Sequence, residues 1–159
     1  MMHGIRASAL RTLPALAAAL LIAGCASTPQ ASRELDAEAK QFTSHPNAST
    51  VYIYRDDFGG PFVEDSVLYV NGRLIGATLP KTFFRLNLRP GNQVLNGMGV
   101  DSGRLAISTR PGEIYFVSLK VLGDQSHFEV VSPERGRKTL AACCALLENW
   151  APGQRPLLR

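Results

Sequence analysis

The sequence predicts a mainly β protein: an antiparallel β-sandwich of about eight strands with one C-terminal α-helix, preceded by a signal peptide and a tether. Three observations carry that prediction. From Thr50 onward, short β-branched and aromatic runs alternate with turn residues, the pattern of an all-β chain. Asn71-Gly72, Arg89-Pro90-Gly91 and Arg110-Pro111-Gly112 punctuate those runs where hairpins need turns. After Val131 the texture becomes helical, beginning at Ser132-Pro133-Glu134.

Residues 1–24 read as an export signal and not as part of the fold. Arg6 and Arg11 give a basic start, Thr12 to Gly24 is apolar, and Ile22-Ala23-Gly24-Cys25 closes the segment. A helix over that apolar stretch spans roughly 20 Å, short of the roughly 30 Å of hydrocarbon that a spanning segment must cross. A cysteine directly after two small residues resembles the lipobox of bacterial lipoproteins. That resemblance implies a diacylglycerol on the Cys25 sulfur, cleavage just before it, and usually a third acyl chain on its amine. One chain gives only marginal, reversible membrane binding, so two or three make attachment effectively permanent. Ala26 stands where an aspartate would signal inner-membrane retention, which favours the outer membrane, with the domain facing the periplasm. The competing reading is an ordinary secretory signal with an incidental cysteine.

Residues 25–48 read as the lipidated cysteine followed by a flexible tether, because Ser, Pro and polar residues dominate. Within it, residues 33–42 fit about two turns of a marginal helix, with Asp36 and Lys40 as an i,i+4 pair. The folded domain is expected over residues 49–150, and 151–159 form a tail. Strands are expected near 50–55, 66–71, 73–78, 82–88, 92–99, 103–109, 113–122 and 126–131. Asn71-Gly72 is the strongest hairpin signal, since both central positions of a type I′ turn need positive φ. In the two Arg-Pro-Gly turns, proline presets φ and glycine takes the left-handed position of a type II turn. Alternation places Phe84, Leu86 and Leu88 on one face, with Arg85 and Asn87 on the other. The run from Glu113 to Val121 is apolar at nearly every position, which fits a central strand covered on both faces.

For the helix, Ser132 supplies a cap, Pro133 fits the first turn, and Glu134 meets the positive end of the dipole. Leu140, Cys143, Cys144 and Leu147 fall at i, i+3, i+4 and i+7, one apolar stripe to set against the sheet. Trp150 would anchor its end and Pro152-Gly153 would stop it. Adjacent cysteines in a helix point about 100° apart, which disfavours a bond between Cys143 and Cys144. They read as small apolar filler on the core stripe. The sharper alternative is an exposed thiol that joins a partner through a disulfide.

Composition excludes more than it selects. Removing residues 1–24 takes away Arg6 and Arg11, so the formal net charge of +4 falls by two. The remaining basic residues are scattered, Arg135-Gly136-Arg137-Lys138 being the densest group, so no nucleic-acid stripe is evident. Ser126 and His127 are neighbours on a strand and point to opposite faces, which separates the pair that a nucleophilic site needs. Asp56-Asp57 and Glu64-Asp65 flank a Phe58-Gly59-Gly60-Pro61 loop, a poor platform for two carboxyls at a defined separation. Nor do these acids have a calcium-loop spacing, and the chain lacks a CxxC or a His pair for zinc. No catalytic residue, cofactor or metal is therefore assigned.

The order Val51-Tyr52-Ile53-Tyr54-Arg55, Leu68-Tyr69-Val70-Asn71-Gly72-Arg73-Leu74-Ile75-Gly76, Phe83-Phe84, Leu88-Arg89-Pro90-Gly91 and Glu113-Ile114-Tyr115-Phe116-Val117 resembles the bacterial lipoprotein family catalogued as domain of unknown function 2846. Gly136-Arg137-Lys138 before a cysteine-bearing helix fits the same pattern, and the likeness covers about residues 48–148. The resemblance implies a small β-sandwich and no assigned activity. The expected role is then a non-catalytic, membrane-anchored interaction module that binds an envelope protein or polymer. The candidate contact residues are Phe58 and Phe62, the aromatics of the 58–62 loop. The alternatives are a structural or stress-related envelope lipoprotein without a defined pocket, and a hydrolase with an unrecognised site.

Overall fold

The computed structural model describes residues 28–57, 66–97, 103–123 and 125–148. In chain order these form α1 (Arg33–Ala39), β1 (Ser49–Arg55), β2 (Ser66–Val70), β3 (Arg73–Thr78), β4 (Thr82–Leu88), β5 (Gly91–Asn96) and β6 (Arg104–Thr109). There follow β7 (Ile114–Leu122), β8 (Gln125–Val131), α2 (Pro133–Cys143) and β9 (Ala145–Leu146). The mainly β sandwich is as expected, and β1 to β8 stand where periodicity placed them.

Two sheets face each other, one ordered β8-β7-β1-β4-β9 and the other β3-β2-β5-β6. The pairing is mainly antiparallel, as expected, with two parallel exceptions in the first sheet. There β1 runs parallel to β7, with Thr50 opposite Ile114, and β4 runs parallel to β9, with Thr82 opposite Ala145. Turn chemistry specifies only the local hairpins. Asn71 and Gly72, at φ 52° and 73°, make the β2–β3 connection that the type I′ signal demanded.

Side-chain alternation builds the molecule in three layers. Val51, Ile53, Phe84, Leu86, Val117 and Leu119 point inward from the five-stranded sheet. They meet Leu68, Val70, Ile75, Leu95 and Ile107 from the other sheet. The opposite face of the five-stranded sheet carries Tyr52, Tyr54, Phe83 and Phe116, which the helices cover with Ala39, Leu140 and Cys144. All seven residues of β1 are therefore buried, as a strand covered on both faces requires. β7 contributes to both cores through Phe116 on one side and Val117 and Leu119 on the other.

At its start α2 agrees with the sequence reading: the Ser132 side chain accepts from the Arg135 N–H, and proline occupies the first turn. Its end does not. The helix stops at Cys143, Cys144 turns extended at φ −123° and ψ 145°, and Ala145–Leu146 pair with β4. The apolar stripe thus splits: Leu140 and Cys144 face the helix-side core, while Leu147 enters the core between the sheets. Two-residue alternation over 144–147 satisfies both cores at once, which a continuing helix would not. Trp150 and Pro152-Gly153 lie outside the described residues.

The tether expected over 25–48 is also corrected, from Thr28 onward. Gln30 bridges Leu147, the Ala31 N–H donates to the Leu146 carbonyl at 2.9 Å, and the Glu148 N–H donates to the Pro29 carbonyl at 2.9 Å. Ser32 caps α1, the Asp36–Lys40 pair closes at 2.7 Å, and the Leu146 N–H donates to Asp36 Oδ1 at 2.8 Å. Ala39 enters the helix-side core, and Phe42 packs edge-on against Tyr52 and Phe116. A polar, Ser- and Pro-containing segment reads as a linker, yet backbone hydrogen bonds to a strand edge need no particular side chain.

Candidate functional site

Cys25, Phe58 and Phe62, the residues singled out by sequence, lie outside the described residues. Both roots of the segment bearing the two phenylalanines are described, and they are tightly held. On the incoming side, Arg55 at the end of β1 is buried to 3 % exposure, unusual for an arginine. Its Nε donates to both Asp57 carboxylate oxygens at 2.9 and 3.1 Å, and one terminal nitrogen donates to the Thr78 carbonyl at 3.3 Å. Lys81, at the head of the β4 approach, donates to the Asp56 carbonyl at 2.6 Å. On the outgoing side, the Ser66 carbonyl accepts from the Thr78 hydroxyl at 2.9 Å, and the Ser66 hydroxyl bonds that of Ser126 at 2.8 Å. Thr78 therefore joins the two roots, its carbonyl serving Arg55 and its hydroxyl serving Ser66. The sequence reading missed this clamp. Its signal was an arginine followed at once by two acids, a spacing that lets a turn fold a carboxylate back on the guanidinium.

Behind the clamp lies a second feature. Cys143 and Cys144 are joined in a disulfide, and the Cys144 sulfur approaches the Arg55 carbonyl at 3.9 Å. This overturns the expectation that the two thiols diverge and lack an intramolecular partner. The argument assumed that both stood in a helix, whereas Cys144 has already left it. The filler reading survives in part, since Cys144 is buried in the helix-side core and Cys143 packs against it.

The Ser126 hydroxyl considered for a nucleophilic site is engaged in structure. Ser126 is buried and bonded to Ser66, while His127, next along β8, is exposed, as strand alternation required. The Glu64-Asp65 pair lies outside the described residues. Among the described residues no group of three or more His, Cys, Asp or Glu could hold a metal ion. No described helix is long and apolar enough to cross a membrane. An open depression is lined by Asn71, Gly72, Val94, Asn96 and Arg104, but Asn71 is committed there to Gln93 at 2.7 Å and to the Val94 N–H at 2.8 Å.

Two phenols of the helix-side core are perturbed. Burial is the main cause that raises the Tyr52 and Tyr54 phenols above their usual 10.0, opposed by Arg85 for Tyr52 and by the Ser118 hydroxyl for Tyr54. The Tyr52 hydroxyl donates to the Ala39 carbonyl at 2.7 Å, tying β1 to the end of α1. An unfolded tyrosine ionises near pH 10, before these two, so their contribution is complete below about pH 10 and is lost as pH rises through the folded values. A Tyr52→Phe, Tyr54→Phe variant is expected to lose less stability than the parent between about pH 9 and pH 11. Urea titrations at each pH measure this, and equal losses in both proteins contradict it.

No family model matches the chain. An uncharacterized protein of Haemophilus influenzae is 33 % identical over 129 residues, a match that spans 77 % of this chain and 76 % of the relative. The chain belongs to the same family as that uncharacterized Haemophilus influenzae protein.

Proposed function

We propose that the protein is a lipid-anchored bacterial envelope lipoprotein, attached through Cys25, whose sandwich acts as a non-catalytic interaction module. The observation that carries this reading is the Ile22-Ala23-Gly24-Cys25 sequence, followed three positions later by a residue already packed in the domain. Cleavage before Cys25 would leave the packed segment from Thr28 onward intact. The outer membrane, with the domain facing the periplasm, follows from Ala26 after the cysteine. Membership of the lipoprotein family with domain of unknown function 2846 is part of the same proposal. The double clamp at Arg55 and Ser66 supports a contact through Phe58 and Phe62, since fixed roots lower the ordering cost that a loop incurs on binding. Its partner would be an envelope protein or polymer.

Cross-linking in living cells, comparing the parent with Phe62→Ala and Cys25→Ser, tests the reading. A partner captured by the parent and lost with Phe62→Ala is the expected result. A partner lost only with Cys25→Ser would mean that location alone brings the two together. Capture of no specific partner would overturn the interaction module in favour of a structural envelope role.

A further inference from the structure

Thr28 has 8 % exposure, and its hydroxyl lies 2.6 Å from where a Cβ on Gly76 would stand. Gly76 belongs to β3, the outer strand of the four-stranded sheet, while Pro29 to Ala31 hydrogen-bond along 146–148 at the β9 edge of the other sheet. The N-terminal segment is thus wedged between the two sheet edges on one side of the sandwich. Only Ala26 and Ser27 separate it from Cys25. Fully extended, that connection reaches roughly 11 Å. The domain it carries is about 35 Å across, from the radius of gyration expected for its length. A leash so much shorter than the body cannot let the body turn over.

We propose that the β3–β9 side of the sandwich lies against the phospholipid headgroups, with the β8 edge turned away. The inference rests on lipidation of Cys25 and adds the orientation that follows from it. As an outer strand, β3 directs backbone N–H and C=O groups outward, where lipid phosphates and interfacial water can partner them. Membrane contact on this side leaves the β8 edge available to other envelope components.

The test uses full-length lipidated protein in phosphatidylethanolamine–phosphatidylglycerol vesicles that contain headgroup-nitroxide lipid. A genetically encoded fluorescent side chain replaces either Ala77 on β3 or Val130 on β8. Quenching several-fold stronger at position 77 than at position 130 is expected. A Gly-Ser spacer of about ten residues inserted between Ser27 and Thr28 raises the extended reach to roughly 45 Å, more than the width of the domain, and should abolish that difference without releasing the protein from the vesicles. Equal quenching at the two positions in lipidated protein without the spacer overturns the orientation alone. Protein whose Cys25 carries no lipid, shown by mass spectrometry, overturns both the orientation and the anchor.

Discussion

Phe116→Ala is expected to destabilise the domain by about 3–5 kcal/mol, the usual cost of truncating a buried phenylalanine. Phe116 is fully buried at the centre of the helix-side core. Its ring stacks on Tyr52 with centroids 5.2 Å apart and meets Phe42 edge-on at 5.8 Å. From above, α2 comes so close that a Cβ on Gly136 would stand 2.3 Å from Phe116 Cγ. One side chain therefore joins β7, α2 and the segment after α1, and its loss opens a cavity that none of the three can fill alone. Gly136→Ala approaches the same contact from the other side and should cost about 1–3 kcal/mol by overpacking. Urea denaturation of both variants measures these losses. A Phe116→Ala loss near 1 kcal/mol, no more than one or two methylenes, would mean that the layer is not packed as described.

Arg55→Ala is expected to cost about 2–3 kcal/mol, somewhat less than the loss from breaking a fully buried pair. The reduction reflects the side-chain exposure of Asp57, 31 % against 3 % for Arg55, which lets water reach the stranded carboxylate. Asp57→Asn should cost a similar amount, because it removes the counter-charge from a guanidinium at 3 % exposure, although the Thr78 carbonyl still accepts from it. If both variants lie within about 0.5 kcal/mol of the parent, the usual range for surface substitutions, Arg55 does not hold the loop root.

Most of the sandwich was legible because its strands alternate cleanly and its hairpins use turns with steric requirements. What escaped depended on contacts between residues far apart in sequence. The parallel pairing of β1 with β7 leaves no local mark, and β9 is two residues long within an apolar stripe at helical spacing. Leu140 and Leu147 do both reach a core, but not the same one. The segment from Thr28 to Ala48 hid for a different reason: its attachment is mostly backbone hydrogen bonding, with Ala39 and Phe42 as its main apolar contacts. At the candidate site, the sequence pointed to Phe58 and Phe62 but not to the clamp at the two roots of their segment. A buried arginine cannot be told from a surface one without knowing what closes over it.

Lipidation of Cys25 is the claim on which location, orientation and role all depend. The mass of the N-terminal tryptic peptide from membrane-purified protein tests it most directly. The account predicts a peptide that begins at Cys25, ends at Arg33 and carries the added mass of two or three acyl chains. An unmodified peptide running from Thr12 to Arg33, or one that begins at Cys25 without lipid, would contradict it.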